Sequence, residues 1–237
     1  MNETLRARAR LASLNGGENH SGRLLGVLGA IYIFTTPLDF VPSPVGTPAT
    51  VAGLLFLIRW LVELASGSAV LPSRALAIPA ICAFAAWNAV TSTWSNNFGA
   101  SLSQTLTVAF LGLSAFAIAG TFRGSVRMPA WALMLGAGVA AVAALLSGPP
   151  ARHHGYISEQ ATFLGIDPNA LSFHLSLGLA ASYFLIGSET RLICRATSMI
   201  FALLLTAAIL AVGSRTGGGV LVLTTFVFAV VSAKSVR

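Results

Sequence analysis

The polar residue whose surroundings most clearly suggest a chemical role is Arg215, in a Gly-Ser-Arg-Thr-Gly-Gly-Gly segment between two apolar runs. Ser214 or Thr216 can cap a following helix, and glycines allow a ligand or another chain to approach the backbone closely. A helix N-terminus offers N–H groups and a positive dipole end, and arginine adds bidentate recognition of phosphate. The segment therefore suits a phosphate or diphosphate, or else Arg215 anchors a helix end among lipid headgroups. A nucleotide P-loop is excluded because its Gly-Lys-Ser/Thr ending is absent.

A second polar segment, Asp167-Pro168-Asn169, opens the apolar run that starts there. Asp167 has the residue type of a helix N-cap, and proline is favoured at the first helical position. Asn169 then projects from the first turn of the helix. The segment is either a simple helix start or, through Asn169 or Asp167, a polar contact that orients a ligand.

The stretch before that segment contains Arg152, His153, His154 and Glu159. A histidine or carboxylate there could act as general base toward a sugar hydroxyl, or all four are solvated loop side chains. The adjacent histidines also suggest a metal site. Zinc, however, requires three or four convergent ligands, and the sequence offers no such set. We therefore predict neither a metal nor another cofactor.

Three further ionisable residues lie inside apolar runs. His174 follows Asp167 by seven residues, so both can lie on one face of a helix. An intramembrane histidine is a functional candidate or a structural residue bonded to a neighbouring helix. Arg59 and Glu63 are four residues apart, which allows them to neutralise each other on one helix face, and we interpret this pair as structural.

The composition places these residues in a membrane protein. Of the 237 residues, 55% are hydrophobic and 9% are charged, against about 25% charged in a soluble domain. The mean hydropathy is +0.81. A net charge of +7 is typical of nucleic-acid binding. Here the arginines lie in short connections between apolar runs, without the aromatic platforms of a nucleic-acid site, so no nucleic-acid partner is expected.

Eight apolar runs of nearly spanning length predict about eight transmembrane helices. Helices are required because an open sheet edge cannot be left in hydrocarbon. The predicted fold class is all-α, a polytopic helix bundle over residues 24–237 that follows a basic segment, residues 1–23. The predicted spans are residues 24–40, 50–65, 75–90, 102–120, 130–147, 169–187, 196–213 and 218–233.

The distribution of Lys and Arg predicts a cytoplasmic N-terminus. With that orientation, eleven of the fourteen lie in cytoplasmic segments, Arg59 lies within a span, and only Arg152 and Arg215 lie outside. Positive residues prefer cytoplasmic loops. The longest loop, residues 148–167, then lies on the outer side, and long polar loops are frequent sites of function. No small-x-small cleavage pattern follows the first span, so we expect it to remain uncleaved.

Three short motifs resemble the O-antigen ligase and polymerase-like family of bacterial membrane proteins. The first is Thr-Trp-Ser-Asn-Asn at residues 93–97, followed by Ser-Leu at 101–102 at the start of a span. The others are Asp-Pro-Asn-Ala-Leu at 167–171 and Ser-Arg-Thr-Gly at 214–217. Their order, spacing and common outer-side placement make up the resemblance, which covers most of the chain.

The resemblance implies a glycan transferase of the bacterial inner membrane, surrounded by membrane lipids. The family moves a glycan from a polyprenyl-diphosphate carrier to a glycan or lipid acceptor at the extracytoplasmic face, in cell-surface polysaccharide biosynthesis. Its members are regarded as metal-independent, inverting glycosyltransferases. Outer-side arginines bind the diphosphate in the family. Arg215 is the best match to such an arginine and Arg152 a weaker one, and we place Asp167, Asn169 and Ser214 in the same predicted binding site.

The resemblance also implies that this chain lacks a C-terminal part. Family members have more spans, and a large outer loop with an activating histidine follows their equivalent of Ser214 and Arg215. This chain ends one predicted span later, and the histidine's role is not transferred to His153 or His154, which lie in the earlier loop. The expectation is a fragment, a second chain that supplies the missing half, or a protein without transferase activity.

Two other functions remain open at the level of the sequence. One is a membrane transporter or flippase, although such proteins often show inverted repeats and helices broken at mid-membrane, and the sequence shows neither. The other is a non-catalytic subunit of a glycan assembly complex, which the missing C-terminal part favours.

Overall fold

The computed structural model describes residues 20–39, 47–67, 77–94, 98–147 and 168–235, and within these ranges it is helical, with no β-strand. The all-α prediction is therefore confirmed for this part of the chain. Each predicted span coincides with one helix to within a few residues at either end. The helices are α1 (His20–Thr35), α2 (Pro48–Ala65), α3 (Ala77–Ser92), α4 (Phe98–Thr121), α5 (Arg127–Ser147), α6 (Pro168–Ser188), α7 (Leu192–Val212) and α8 (Arg215–Ser235), with a 3-10 turn at Thr36–Leu38 after α1.

Among the described residues, five helical segments are long and apolar enough to cross a membrane. They are α2, Ser101–Thr121 within α4, α5, α6 and α7. Two shorter apolar segments, Gly22–Leu38 and Gly217–Val230, belong largely to α1 and α8. Because a membrane core requires about 20 apolar residues in a helix, these lengths identify the chain as a membrane protein.

The contacts divide the chain into two compact units, and the first consists of Met1–Leu28 and Phe56–Thr121. Within it, α3 packs against α4. Arg59 and Glu63 form an ion pair along α2, with 2.9 Å between Nη2 and Oε1. The Glu63 side chain is buried, whereas about a third of the Arg59 side chain is exposed. The predicted pairing of these two charges is therefore confirmed.

The second unit consists of Gly29–Leu55 and Phe122–Arg237, and its core lies among α5, α6 and α7. In lipid, helices associate through close van der Waals packing of small residues. Gly178 of α6 is an example, because a Cβ there would lie 2.3 Å from the Cβ of Ala137 on α5. The buried core residues are Ala137, Ala140, Ala141, Ala144, Leu171, Leu175, Leu179, Ala202, Leu205, Ala208, Ile209 and Val212.

Helix α8 packs alongside α6. The contacts between the two helices keep a nearly constant offset along the chain, as a parallel pair requires. The first turns of α6 and α8 consequently lie side by side at one end of the second unit. The contacting pairs are Asn169 with Ser214, Ser172 with Gly217, and Tyr183 with both Thr225 and Phe228.

Candidate functional site

Two of the predicted binding residues, Asn169 and Ser214, are in direct contact. The Ser214 hydroxyl donates a hydrogen bond to Asn169 Oδ1, with 2.7 Å between the oxygens. Asn169 lies in the first turn of α6, whereas Ser214 immediately precedes α8. The bond therefore brings together two polar segments that are 45 residues apart in the chain.

Ser214 is also the N-cap of α8. The Gly217 N–H donates to Ser214 Oγ at 3.2 Å, and the Gly218 N–H donates to the Ser214 carbonyl oxygen at 3.0 Å. Of the two capping residues that the sequence allowed, Ser214 takes the role, and Arg215 is the first residue of the helix. The N–H groups of Arg215 and Thr216 occupy positions at which a helix has no internal acceptor.

Ser172 lies one turn after Asn169 and packs against the first turn of α8. Its side chain is fully buried, and Oγ has no hydrogen-bond partner. A Cβ at Gly217 would lie 2.7 Å from both Cβ and Oγ of Ser172, so only glycine fits at that position. Sequence analysis missed Ser172, whose only signal was a polar residue one turn after Asn169.

A second helix start in the same unit has a comparable polar link. Thr47 accepts a hydrogen bond from the Thr50 N–H at 3.3 Å and donates one to the Asp39 carboxylate. Asp39 follows the 3-10 turn, which packs against α5 and α6. The Asp39 carboxylate interacts electrostatically with the imidazole of His174, which is half-buried on α6. The predicted histidine of α6 thus interacts with an acidic residue that follows the 3-10 turn.

Several predicted candidates lie outside the described residues. They are Arg152, His153, His154, Glu159 and Asp167, which all belong to the predicted outer loop 148–167. Pro168 is the first residue of α6, as the sequence predicted. Within the described ranges, no three His, Cys, Asp or Glu side chains are grouped as a metal ion requires.

The opposite end of the second unit is joined by hydrogen bonds between α5 and the end of α6. Arg127 Nη2 donates to the Ser188 carbonyl oxygen at 2.8 Å. Trp131 Nε1 donates to the Glu189 carboxylate at 3.2 Å. Because the last carbonyl groups of a helix have no internal donor, Arg127 satisfies one of them and places a positive charge at the negative end of the helix dipole.

The first turn of α8 has the chemistry of an anion site. It combines the positive end of a helix dipole with N–H groups that have no acceptor within the helix. The amide side chain of Asn169 lies next to it, and Arg215 belongs to it. No protein-family model, curated protein or solved structure matches this chain significantly.

Proposed function

We propose that this protein is an O-antigen ligase- or polymerase-like glycan transferase of the bacterial inner membrane. It would move a glycan from a polyprenyl-diphosphate carrier to a glycan or lipid acceptor at the extracytoplasmic face. The observation that supports this most directly is the hydrogen bond between Ser214 and Asn169. It joins two of the three motifs that resemble the family at one end of the bundle, where a common binding site would need them.

The proposed topology has about eight spans and a cytoplasmic N-terminus. It is supported by the location of eleven of the fourteen Lys and Arg residues in segments that would then be cytoplasmic. It is also supported by the parallel packing of α6 and α8, since two spans separated by one other must run in the same direction. In this topology the first turns of α6 and α8 face the outside.

In the proposed mechanism, Arg215 and the first turn of α8 bind the diphosphate of the donor. They stabilise the negative charge that develops on the carrier diphosphate as the bond between the sugar and the phosphate breaks. Arg152 would supply a second positive charge, and Asp167, Asn169 and Ser214 would border the site. An acceptor hydroxyl attacks the anomeric carbon and loses its proton to a base.

We assign this base to a loop on the outer side of the membrane. His153, His154 and Glu159 are the weak candidates in this chain. The family resemblance favours a histidine in a later outer loop. The residues from α6 and α8 would therefore form the donor half of the site.

Replacing Arg215 tests the proposed function. We expect Arg215→Ala to reduce glycan transfer by about 100-fold, which is the scale for loss of one group that stabilises developing charge, and Arg215→Lys to retain part of the activity. The control is Arg195→Ala, an exposed arginine near the start of α7, which should change the rate by less than about twofold. The assay is transfer from an undecaprenyl-diphosphate-linked oligosaccharide in proteoliposomes that contain the protein with its native partners.

Each possible result of this assay has a defined meaning. Wild-type transfer by Arg215→Ala contradicts the role assigned to Arg215. Movement of the donor across the bilayer without glycan transfer identifies a flippase instead. Transfer that persists when this chain is omitted identifies a non-catalytic subunit.

The orientation can be tested with single cysteines in a chain whose own Cys82 and Cys194 are replaced by serine. Gly124, between α4 and α5, and Ser147, at the end of α5, are both exposed. We expect a membrane-impermeant maleimide to label Ser147→Cys in intact spheroplasts and Gly124→Cys only after permeabilisation. The reverse pattern would show that the predicted orientation is wrong.

A further inference from the structure

We propose that Asn169 and Ser214 are positioning residues, which hold the start of α8 against α6 and thereby fix the diphosphate site. This inference rests on the proposed function and changes the role given to both residues. They act through the helix that they hold, and the donor is bound by the helix N-terminus and the arginine.

The hydrogen-bonding capacity of Ser214 supports a positioning role. A serine hydroxyl has one proton to donate, and Ser214 donates it to Asn169 Oδ1. The same oxygen accepts the Gly217 N–H. A continuous chain of bonds therefore runs from the Gly217 backbone of α8 through Ser214 to the first turn of α6. Ser214 could donate to a ligand only by breaking its bond to Asn169.

A second contact one turn further along holds the same two helix starts. Ser172 fills the space above Gly217, at a distance that admits no Cβ. The hydrogen bond and this close contact are each made between the first turns of α6 and α8. Because there are two such contacts, α8 cannot slide or rotate at its start unless at least one of them is lost.

Precise placement of the start of α8 has a direct consequence for the reaction. The N–H groups of a helix N-terminus have fixed directions, so they stabilise developing charge only where the helix holds them. Displacement of a reacting group by 1 Å can reduce a rate by about 100-fold. A positioning pair should therefore affect kcat, whereas a residue that binds the donor equally well throughout should affect KM.

The test uses four variants of the full-length protein in nanodiscs, with its native partners. Ser214→Ala and Asn169→Ala remove the bond, and Ser214→Thr keeps a capping hydroxyl. The matched control is Thr225→Val, which removes another hydrogen bond between α6 and α8, the one between Tyr183 and Thr225 at 3.2 Å. We measure hydrogen exchange at the Gly217 amide, and kcat and KM for the undecaprenyl-diphosphate-linked donor.

We expect Ser214→Ala to exchange the Gly217 amide about fivefold faster, as loss of an N-cap predicts. Asn169→Ala should increase this exchange by a smaller factor, because Ser214 still caps α8 but is no longer held by Asn169. The kcat of both alanine variants should fall by about tenfold or more, while KM should change by less than about twofold. Ser214→Thr should recover both protection and kcat. Thr225→Val should resemble the wild type in both measurements.

Two outcomes overturn the positioning role alone. One is a raised KM with unchanged kcat in the alanine variants, which would make these residues direct donor ligands. The other is faster exchange at Gly217 with unchanged kinetics. If the wild type and Thr225→Val neither transfer the glycan nor bind the donor, the proposed function fails and this inference fails with it. In that case the exchange data still show whether Asn169 and Ser214 hold the start of α8.

Discussion

The polar groups at the two ends of α6 have different kinds of partner. At its last turn, Arg127 and Trp131 of α5 donate to a carbonyl and a carboxylate at the end of α6. The buried Ser188 hydroxyl in the same turn has no partner. At its first turn, Asn169 is bonded to Ser214, while the buried hydroxyl of Ser172 has no partner. The last turn of α6 thus makes contacts between helices only. The first turn also makes such contacts, and it lies beside the start of α8, which has anion-binding groups.

The helix dipole accounts for this difference. The end of α6 presents carbonyl groups, and Arg127 donates to one of them as a cation at the negative end of the helix dipole. The start of α8 presents N–H groups, which favour an anion. One of these N–H groups, that of Gly217, donates to the neutral hydroxyl oxygen of Ser214. A cation from the protein itself therefore meets the carbonyl groups at the last turn of α6, whereas the start of α8 is suited to a negatively charged ligand.

The largest effect is expected where the first turns of α6 and α8 are closest. Gly217→Ala would place a methyl group within 2.7 Å of Ser172 and push the two helices apart. We expect a loss of about 2 kcal/mol in the free energy of unfolding, as for an overpacked core, together with loss of glycan transfer. Unfolding in SDS and the proteoliposome assay measure the two effects.

The adjacent Gly218 provides the control, because a Cβ there meets no atom within 4 Å. Gly218→Ala should be neutral or stabilising by up to about 1 kcal/mol, since alanine favours a helix over glycine. Equal effects of the two substitutions would mean that the close contact with Ser172 does not set the position of α8.

An intermediate effect, on stability alone, is expected at the other end of α6. Arg127→Ala removes the bond to the Ser188 carbonyl and should lower the free energy of unfolding by about 1 kcal/mol. Binding of the polyprenyl-diphosphate donor should remain at the wild-type level. Arg191→Ala, at an exposed position just before α7, is the control for loss of a surface charge. If Arg127→Ala weakened donor binding and Arg191→Ala did not, the two ends of α6 would not have the separate roles proposed for them.

The start of α6 was predictable from sequence, whereas the start of α8 was predicted only as a choice between two caps, Ser214 and Thr216. Proline at the first helical position is a local signal, and α6 begins at Pro168 as expected. The glycines after Thr216 have low helix propensity and led to a predicted span from residue 218, yet α8 begins at Arg215. Tertiary contact explains the difference, because Gly217 is required by the close approach of Ser172.

The candidate site was predictable only as separate pieces. Charge and hydropathy suggested that the segments of Asn169 and Ser214 share one side of the membrane. That the two side chains bond to each other depends on the parallel packing of α6 and α8, which no local pattern encodes. Ser172 was missed because a serine in an apolar helix ordinarily bonds to a carbonyl of the preceding turn, and Ser172 does not.

The smallest effect separates the two buried serines of α6 that lie one turn apart. Ser172 has an unpartnered hydroxyl, whereas the Ser176 hydroxyl donates to the Ser172 carbonyl oxygen at 2.7 Å. Removal of an unsatisfied buried group is favourable, so Ser172→Ala should stabilise the protein by about 0.5–1 kcal/mol. Ser176→Ala should be close to neutral, because a serine bond to the carbonyl of the preceding turn adds little to the stability of a helix. Unfolding in SDS measures both, and destabilisation by Ser172→Ala would mean that its hydroxyl has a partner at this end of α6, unlike the Ser188 hydroxyl at the other end.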